Sequence, residues 1–558
     1  MPVYALALTA VVTAPLLSPG YLLLRDAVST PQSYLSDAAL GLSGAAPRAL
    51  PQDFLVAEAS RVVDGGVVVK ILLIVGLWLA GWGAASLATV VVPESGLSGE
   101  FVAATLAIWN PYVAERLLQG HWSLLVGYGC LPWVAAAAIR LRTGDGVVWS
   151  LVFWIALAGL TPTGLLLAAC VAVVSALSPG AGRSRLACAA VSLGTAVLSA
   201  LPWLVASAVS GSLASTQSTG VPAFAARAEP GLATIGSLAG LGGIWNGQAV
   251  PSSRTTLFAL LATVVLMAIV AAGLPTVVRR PAAVPLLALA AVAVVVPALM
   301  ATGPGLALLE STVRTLPGLG VLRDAQKWVA LAVPGYAVAG AGAVVTLARR
   351  VPRPAAAIVC CLALLAVLPD LAWGVGGKAA SVRYPQGWTT VSAMINADPR
   401  PVAVLPADSM RAFPWAGPAP VLDPLPRWVS ADVLTTGDLV IGGTTVPGEG
   451  TRARDVQRLL VAGADPRELA DAGVGWLVVE AGSQSGGAPT VSTLPVAYRD
   501  SDVALYRVGG DRPAASHRGL LIAMHLVWLA TVIAGALGLA SAYARRTASP
   551  ATGLAESD

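Results

Sequence analysis

Apolar stretches of about 20 residues recur from one end of the chain to the other. A helix of that length closes its own backbone hydrogen bonds and crosses a bilayer, so a chain built of such stretches folds in lipid. With 56% hydrophobic and only 11% charged residues among 558, it cannot be a soluble globule. Apolar windows bounded by charged or Pro/Gly-rich breaks fall at 3–24, 66–93, 101–119, 122–140, 146–160, 163–179, 187–209, 255–278, 282–302, 329–348, 355–376 and 519–543. They predict an all-α polytopic membrane protein with about twelve transmembrane helices.

Arginines orient this array. Arg140/Arg142, Arg183/Arg185, Arg279/Arg280, Arg349/Arg350/Arg353 and Arg545/Arg546 all fall on one face, which the positive-inside rule makes cytoplasmic. Both termini are then cytoplasmic in a multi-pass protein of the plasma membrane. A transmembrane part, 1–376, sends loops 25–65, 210–254 and 303–328 outward. Segment 377–518 differs in composition and reads as a small extracytoplasmic α/β domain before the last helix, 519–543. WTTVSAMINAD, ARDVQRLLVAG and PRELADAG are helix-like, and PVAVLPA, GWLVVEA and DVALYRV strand-like. The tail, 544–558, reads as disordered. The formal charge of +5 follows the same inside bias and implies no nucleic acid. Five cysteines lie in or beside apolar segments as packing residues, and three histidines are too scattered for a His-rich metal site.

Charge is scarce, so its placement is informative. The first loop carries Asp26, Asp37, Asp53, Glu58 and Asp64 with Arg25, Arg48 and Arg61. Asp26 sits at the outer end of the first apolar window, where a helix end would hold a base at the aqueous boundary; the alternative is an ordinary interfacial flank. In WNPYVAERLLQGHW, Pro111 frees backbone carbonyls, and Glu115 and Arg116 are costly in lipid. These residues, with Asn110, His121 and Trp122, should line a cavity, unless they are snorkelling side chains and a hairpin cap. In GLGVLRDAQKW, Arg323 offers the planar fork and Lys327 the point charge that a phosphate needs, with Asp324 among them lining the cavity, or else the three form an interfacial anchor beside Trp328. Loop 210–254 holds Arg227, Glu229, Trp245, Asn246, Gln248 and Arg254, a set suited to a sugar platform or to an aromatic belt.

The runs PGYLLLRDAVSTP, WNPYVAERLLQGHWSLLVGYGCLPW and LRDAQKW resemble a group of actinobacterial multi-spanning proteins similar to GT-C glycosyltransferases, enzymes that use polyprenyl-phosphate sugars. The resemblance covers residues 1 to about 376 and, more loosely, the α/β segment and last helix. It implies transfer of a sugar from a polyprenyl-phosphate donor to a cell-envelope glycan or glycolipid on the outer face. Asp26, with Asp37 as second choice, is implied as general base, and Arg25, Arg116, His121, Arg323 and Lys327 as partners of the donor phosphate. Many members pair acidic residues in the first loop, whereas here AVSTP follows Asp26. No cofactor is implied, and a divalent metal stays open. Two other classes fit the same architecture: an envelope lipid or glycolipid transporter or flippase, and a non-catalytic scaffold. A transporter would depend on deeper charges such as Lys70 or Glu115.

Overall fold

The computed structural model describes residues 1–548 apart from 44–47, 211–219, 317, 442, 481–488 and 514. Among the described residues, six helices are long and apolar enough to cross a membrane: Gly65–Val91, Trp122–Thr143, Arg185–Val209, Phe258–Val277, Ala325–Leu347 and Arg518–Arg545. Two bent pairs raise the number to eight. They are Val284–Met300 with Gly303–Thr315, bent by 93°, and Arg353–Ala366 with Pro369–Gly376, bent by 72°.

The remaining apolar windows are shorter or broken helices, each for a local reason. The first is helical over Pro2–Leu17, after which Gly20, at φ 126°, turns the chain into a strand. Window 101–119 is cut after helix Gly96–Ile108 by Asn110, whose extended backbone and side chain cap a second helix, Pro111–Gln119. At 146–179, Thr161 caps Gly164 N–H at 3.0 Å and separates helices Val148–Ala158 and Pro162–Ser175. Apolarity thus marks the membrane-embedded part, while caps decide where a helix stops. The last helix runs on to Ala548, so it includes the start of the tail expected to be disordered; 549–558 lie outside the described residues.

The first loop opens with a tight hairpin, β1 (Tyr21–Leu24) and β2 (Ala27–Val28), whose two-residue turn is Arg25-Asp26. β3 (Ser381–Val382) adds to its other edge, Tyr21 opposite Val382. The polar segment holds two short hairpins, β5 (Met410–Arg411) with β6 (Val421–Leu422) and β8 (Leu439–Ile441) with β9 (Thr444–Val446), and a five-stranded sheet. That sheet is built from β4 (Val402–Leu405), β7 (Val433–Leu434), β10 (Trp476–Glu480), β11 (Val496–Arg499) and β12 (Val503–Arg507), in the order β11-β12-β10-β4-β7. β10 runs parallel to β4 and antiparallel to β12. All four residues of β4 are buried because helices cover both faces. Helix Gln386–Ala397 packs Trp388, Val391 and Ile395 on one side, and helix Thr451–Ala462 packs Ala453, Val456 and Leu460 on the other.

The polar segment is sewn onto the first loop. Arg25 N–H donates to Pro420 O at 3.0 Å and Leu422 N–H donates to Arg25 O at 2.8 Å, so β6 grips the hairpin turn through its backbone. Leu23, Val28 and Val421 are buried together beneath it. Ion pairs Arg48–Glu449, at 2.9 Å, and Arg427–Asp53, at 3.2 Å, tie the rest of the loop down.

Candidate functional site

Three stretches distant in sequence meet around the Arg25-Asp26 turn: the hairpin, the end of helix Pro111–Gln119, and the run from Leu319 into Ala325–Leu347. Helix Pro111–Gln119 starts with proline at its first position and ends with Gly120 at φ 83°. Gly120 is required twice over. Its backbone is left-handed, and a Cβ there would lie 2.3 Å from Ala27 N and from Leu24 O. Glycine therefore lets the helix end abut the hairpin, where Asp26 N–H donates to Gln119 O at 3.1 Å.

Past Gly120 the chain presents His121, whose Nε2 is 2.8 Å from Oδ2 of Asp26. Gln119 Nε2 donates to the same oxygen at 3.2 Å. The other ring nitrogen, Nδ1, is 3.1 Å from Arg116 Nη1. Arg116 is fully buried and grips Asp324 through both ends of its fork, Nη1 to Oδ2 at 2.9 Å and Nη2 to Oδ1 at 3.1 Å. Nη2 also donates to Gln326 Oε1, and the guanidinium lies 5.5 Å from the Tyr112 ring centre. Lys327 Nζ is 3.6 Å from Asp324 Oδ2 and keeps about a quarter of its side chain exposed (24%).

The ionisation of the group follows from these contacts. Burial works against the Asp26 charge, but the hydrogen bonds from His121 and Gln119 and the charge of Lys327 hold its carboxyl below the usual range. Burial pushes His121 down, and the charges of Lys327 and Arg116 add to that against the pull of Asp26. Asp324 sits well below the carboxylate range despite its burial, because Arg116 and Lys327 face it. The Asp26 side chain remains 38% exposed.

The sequence-predicted residues take different places. Asp26, Arg116, His121, Asp324 and Lys327 come together. Arg25 stands beside them at φ 49°, with its guanidinium turned inward to Leu118 O at 2.6 Å and Gln248 O at 2.8 Å. Arg25 and Arg116, expected as partners of a phosphate, are buried, and their terminal nitrogens are engaged by Leu118 O and Gln248 O in the one and by Asp324, Gln326 and His121 in the other. Glu115 is fully buried and accepts from Gly243 N, Ile244 N and Gln326 Nε2 at 3.2, 3.1 and 3.0 Å. Trp122 is packed into the apolar core, whereas Asn110, engaged in capping and in a 3.0 Å bond to Tyr128, does line a small cavity, with Trp109, Pro111 and Arg254. Arg323 points away, stacked 5.5 Å over Phe224. Asp37 pairs with Arg518 at the root of the last helix. Asp53 pairs with Arg427, Glu58 with Arg61, and Asp64 caps Gly65–Val91.

Two features escaped sequence reading. Asn246 Nδ2 donates to Gln119 Oε1 at 2.8 Å, which brings loop 241–249 up to the Asp26 cluster. Arg227, beside that loop, has Nε and Nη2 closed off from solvent without a hydrogen-bond partner among the described residues. A Cβ on Gly247 would stand 4.0 Å from its Nε. Neither contact has a local sequence signal. Among the described residues, no group of three or more His, Cys, Asp or Glu side chains converges as a metal site.

Comparison with solved structures places the fold. The cryo-EM structure of the arabinofuranosyltransferase AftD from mycobacteria matches with a TM-score of 0.57 at 19% identity, over 92% of this chain and 40% of that one. A mutant form of AftD matches with a TM-score of 0.55 at 18% identity, over 91% and 41%. The chain thus spans about two fifths of the length of the protein it resembles. At this identity the likeness is one of fold: the chain is a multi-pass membrane protein that shares the architecture of a glycosyltransferase. No family model and no curated protein matches the sequence.

Proposed function

We propose that the chain is a membrane glycosyltransferase that moves a sugar from a polyprenyl-phosphate donor to an envelope glycan or glycolipid on the extracytoplasmic face, with Asp26 as general base. The observation that carries this reading is the state of Asp26. Of the five acids in the first loop, it is the one held by a histidine and a glutamine on one oxygen, in a half-open position where three segments meet. The acceptor hydroxyl attacks C1 of the donor sugar and gives its proton to Asp26. The bond from C1 to the phosphate oxygen breaks, and polyprenyl phosphate leaves with the electron pair.

Lys327, beside Asp324 and with about a quarter of its side chain open, is the cation best suited to the departing phosphate. The fold shared with AftD supports the class and makes an arabinofuranosyl unit the first donor sugar to try. Segment 377–518 would seat the acceptor next to Asp26, since β6 already holds the turn. A transporter would draw on the deeper charges. Lys70 donates to Ser18 O at 2.9 Å and Glu115 holds three donors, which favours the transferase reading.

The test compares envelope glycans and glycolipids of cells carrying wild type, Asp26→Asn or a deletion. If the asparagine variant, present at wild-type level, reproduces the deletion's defect, the reading stands and the missing sugar names the product. A wild-type pattern from Asp26→Asn sinks catalysis by Asp26.

A further inference from the structure

The contacts of Arg116 fix more than its own place. A guanidinium does not lose its proton in a protein, so each terminal N–H that meets a neighbour must meet a lone pair. Four such N–H groups exist, and the structure gives four acceptors: Asp324 Oδ1, Asp324 Oδ2, Gln326 Oε1 and His121 Nδ1. His121 Nδ1 is therefore an acceptor. Its proton lies on Nε2, 2.8 Å from Asp26 Oδ2, where it can only be donated.

We propose that His121 is a positioning residue, locked by Arg116 as the neutral Nε2–H tautomer, and that it divides the Asp26 carboxylate into an anchored oxygen, Oδ2, and an acting oxygen, Oδ1. Oδ2 receives both donors, Gln119 and His121, whereas Oδ1 has no hydrogen bond among the described residues. The charged groups facing the imidazole come from each packed element: Asp26 on the hairpin, Arg116 on helix Pro111–Gln119, and Asp324 and Lys327 on the third stretch. Protonating Nδ1 would set a second cation against Arg116, so His121 is neither the base nor a partner for phosphate. The acting-oxygen half of the inference rests on the transferase reading; the tautomer does not.

The chain has only three histidines, so a full-length protein labelled with 15N-histidine in lipid nanodiscs gives a spectrum simple enough to assign with His517→Gln and His525→Gln variants. The expected result is the Nε2–H pattern for His121, unchanged from pH 5 to 8. A His121 signal that titrates near its ordinary midpoint, or the Nδ1–H pattern, overturns the lock whether or not the protein transfers sugar. Arg116→Gln should make His121 titrate in that range, and the double variant Arg116→Gln/Asp324→Asn, which strands no buried carboxylate, serves the same purpose should Arg116→Gln fail to fold. In the transfer assay, His121→Ala should lower kcat by ~10–100-fold with KM little changed, the effect of removing a hydrogen bond to a charged group. His121→Gln, whose amide nitrogen can reach Oδ2, should recover most of that loss. Equal activity in wild type and His121→Ala overturns the positioning role while leaving Asp26 as base.

Discussion

Two buried arginines anchor two parts of this molecule, and they differ in what lies at the end of their contacts. In the polar segment Arg411 holds Asp423 at 3.4 Å and Glu480, and it donates to Met410 O at 3.2 Å; all three charged side chains are within 3% of complete burial. Asp423 turns its other oxygen to Leu425 N at 2.8 Å, so that cluster closes on protein. Arg116 grips its own aspartate as tightly, but it also reaches His121, and through it a carboxylate that is 38% exposed. The first arrangement fixes a fold, since removing one partner of a buried pair leaves a stranded charge. The second uses the same rigidity to hold a half-open carboxylate. A buried charge points to function when its chain of contacts ends in the open.

The largest effect that would sharpen this contrast is at the open end. Asp26→Asn should reduce transfer by about 10²–10⁴-fold, the worth of a positioned general base, with thermal stability close to wild type. A loss of that size accompanied by unfolding would make Asp26 structural, like Asp423. Gly120→Ala comes next. Its methyl group would press on Ala27 N and Leu24 O at 2.3 Å in a left-handed backbone, moving the hairpin against the helix end. Catalysis tolerates displacements of about 1 Å poorly, so a loss near 10²-fold in kcat/KM is expected, measured beside the melting temperature.

How much of this was readable beforehand follows from the range of each contact. The strands and helices of the polar segment are written locally, whereas helix Pro111–Gln119 was read as part of one span over 101–119, although its proline start and glycine stop at Gly120 are local signals. The place of Asp26 just past the first apolar window was readable for the same reason. What Arg116 does was not, because its partner Asp324 lies 208 residues away and nothing local distinguishes a gripped arginine from a free one. Arg25 shows this most clearly. Next to Asp26 in sequence it read as a phosphate partner, yet its φ of 49° turns it inward onto backbone carbonyls. Hydropathy marked about twelve windows, of which six to eight hold helices long and apolar enough to span among the described residues, for a related reason: it registers apolarity but not a cap such as Asn110 or Thr161.

Smaller effects separate the partly exposed cation from the buried ones. Lys327→Gln should lower kcat with a polyprenyl-phosphate donor by ~10-fold or more, as expected when a charge-assisted hydrogen bond to the departing phosphate is lost, and soluble acceptor affinity should not change. An unchanged kcat and KM would instead place Lys327 with Asp324 in the scaffold. Over pH, transfer should show no acid limb near the ordinary histidine midpoint, because Asp26 is held below the usual carboxylate range and burial pushes His121 below its ordinary value. An acid limb near 6.5 would show a titrating histidine and break the contrast from the open side.

The smallest effect tests the closed cluster. Burial first, and then the neighbouring charge of Asp423, push the Glu480 carboxyl well above its ordinary value, against the pull of Arg411. A folded-state value above the unfolded one means that folding takes up a proton between the two. The stability that Glu480 contributes is therefore fully present below the unfolded midpoint, near 4.5, and declines as pH rises toward the folded value. Glu480→Gln removes the titration while keeping the shape. Its melting temperature should fall less than that of wild type between pH 5 and 8, with transfer per folded molecule nearly unchanged. If activity falls in step with stability in that variant, the polar segment does more than hold the hairpin turn, and the line between a closed cluster and an open one moves to include it.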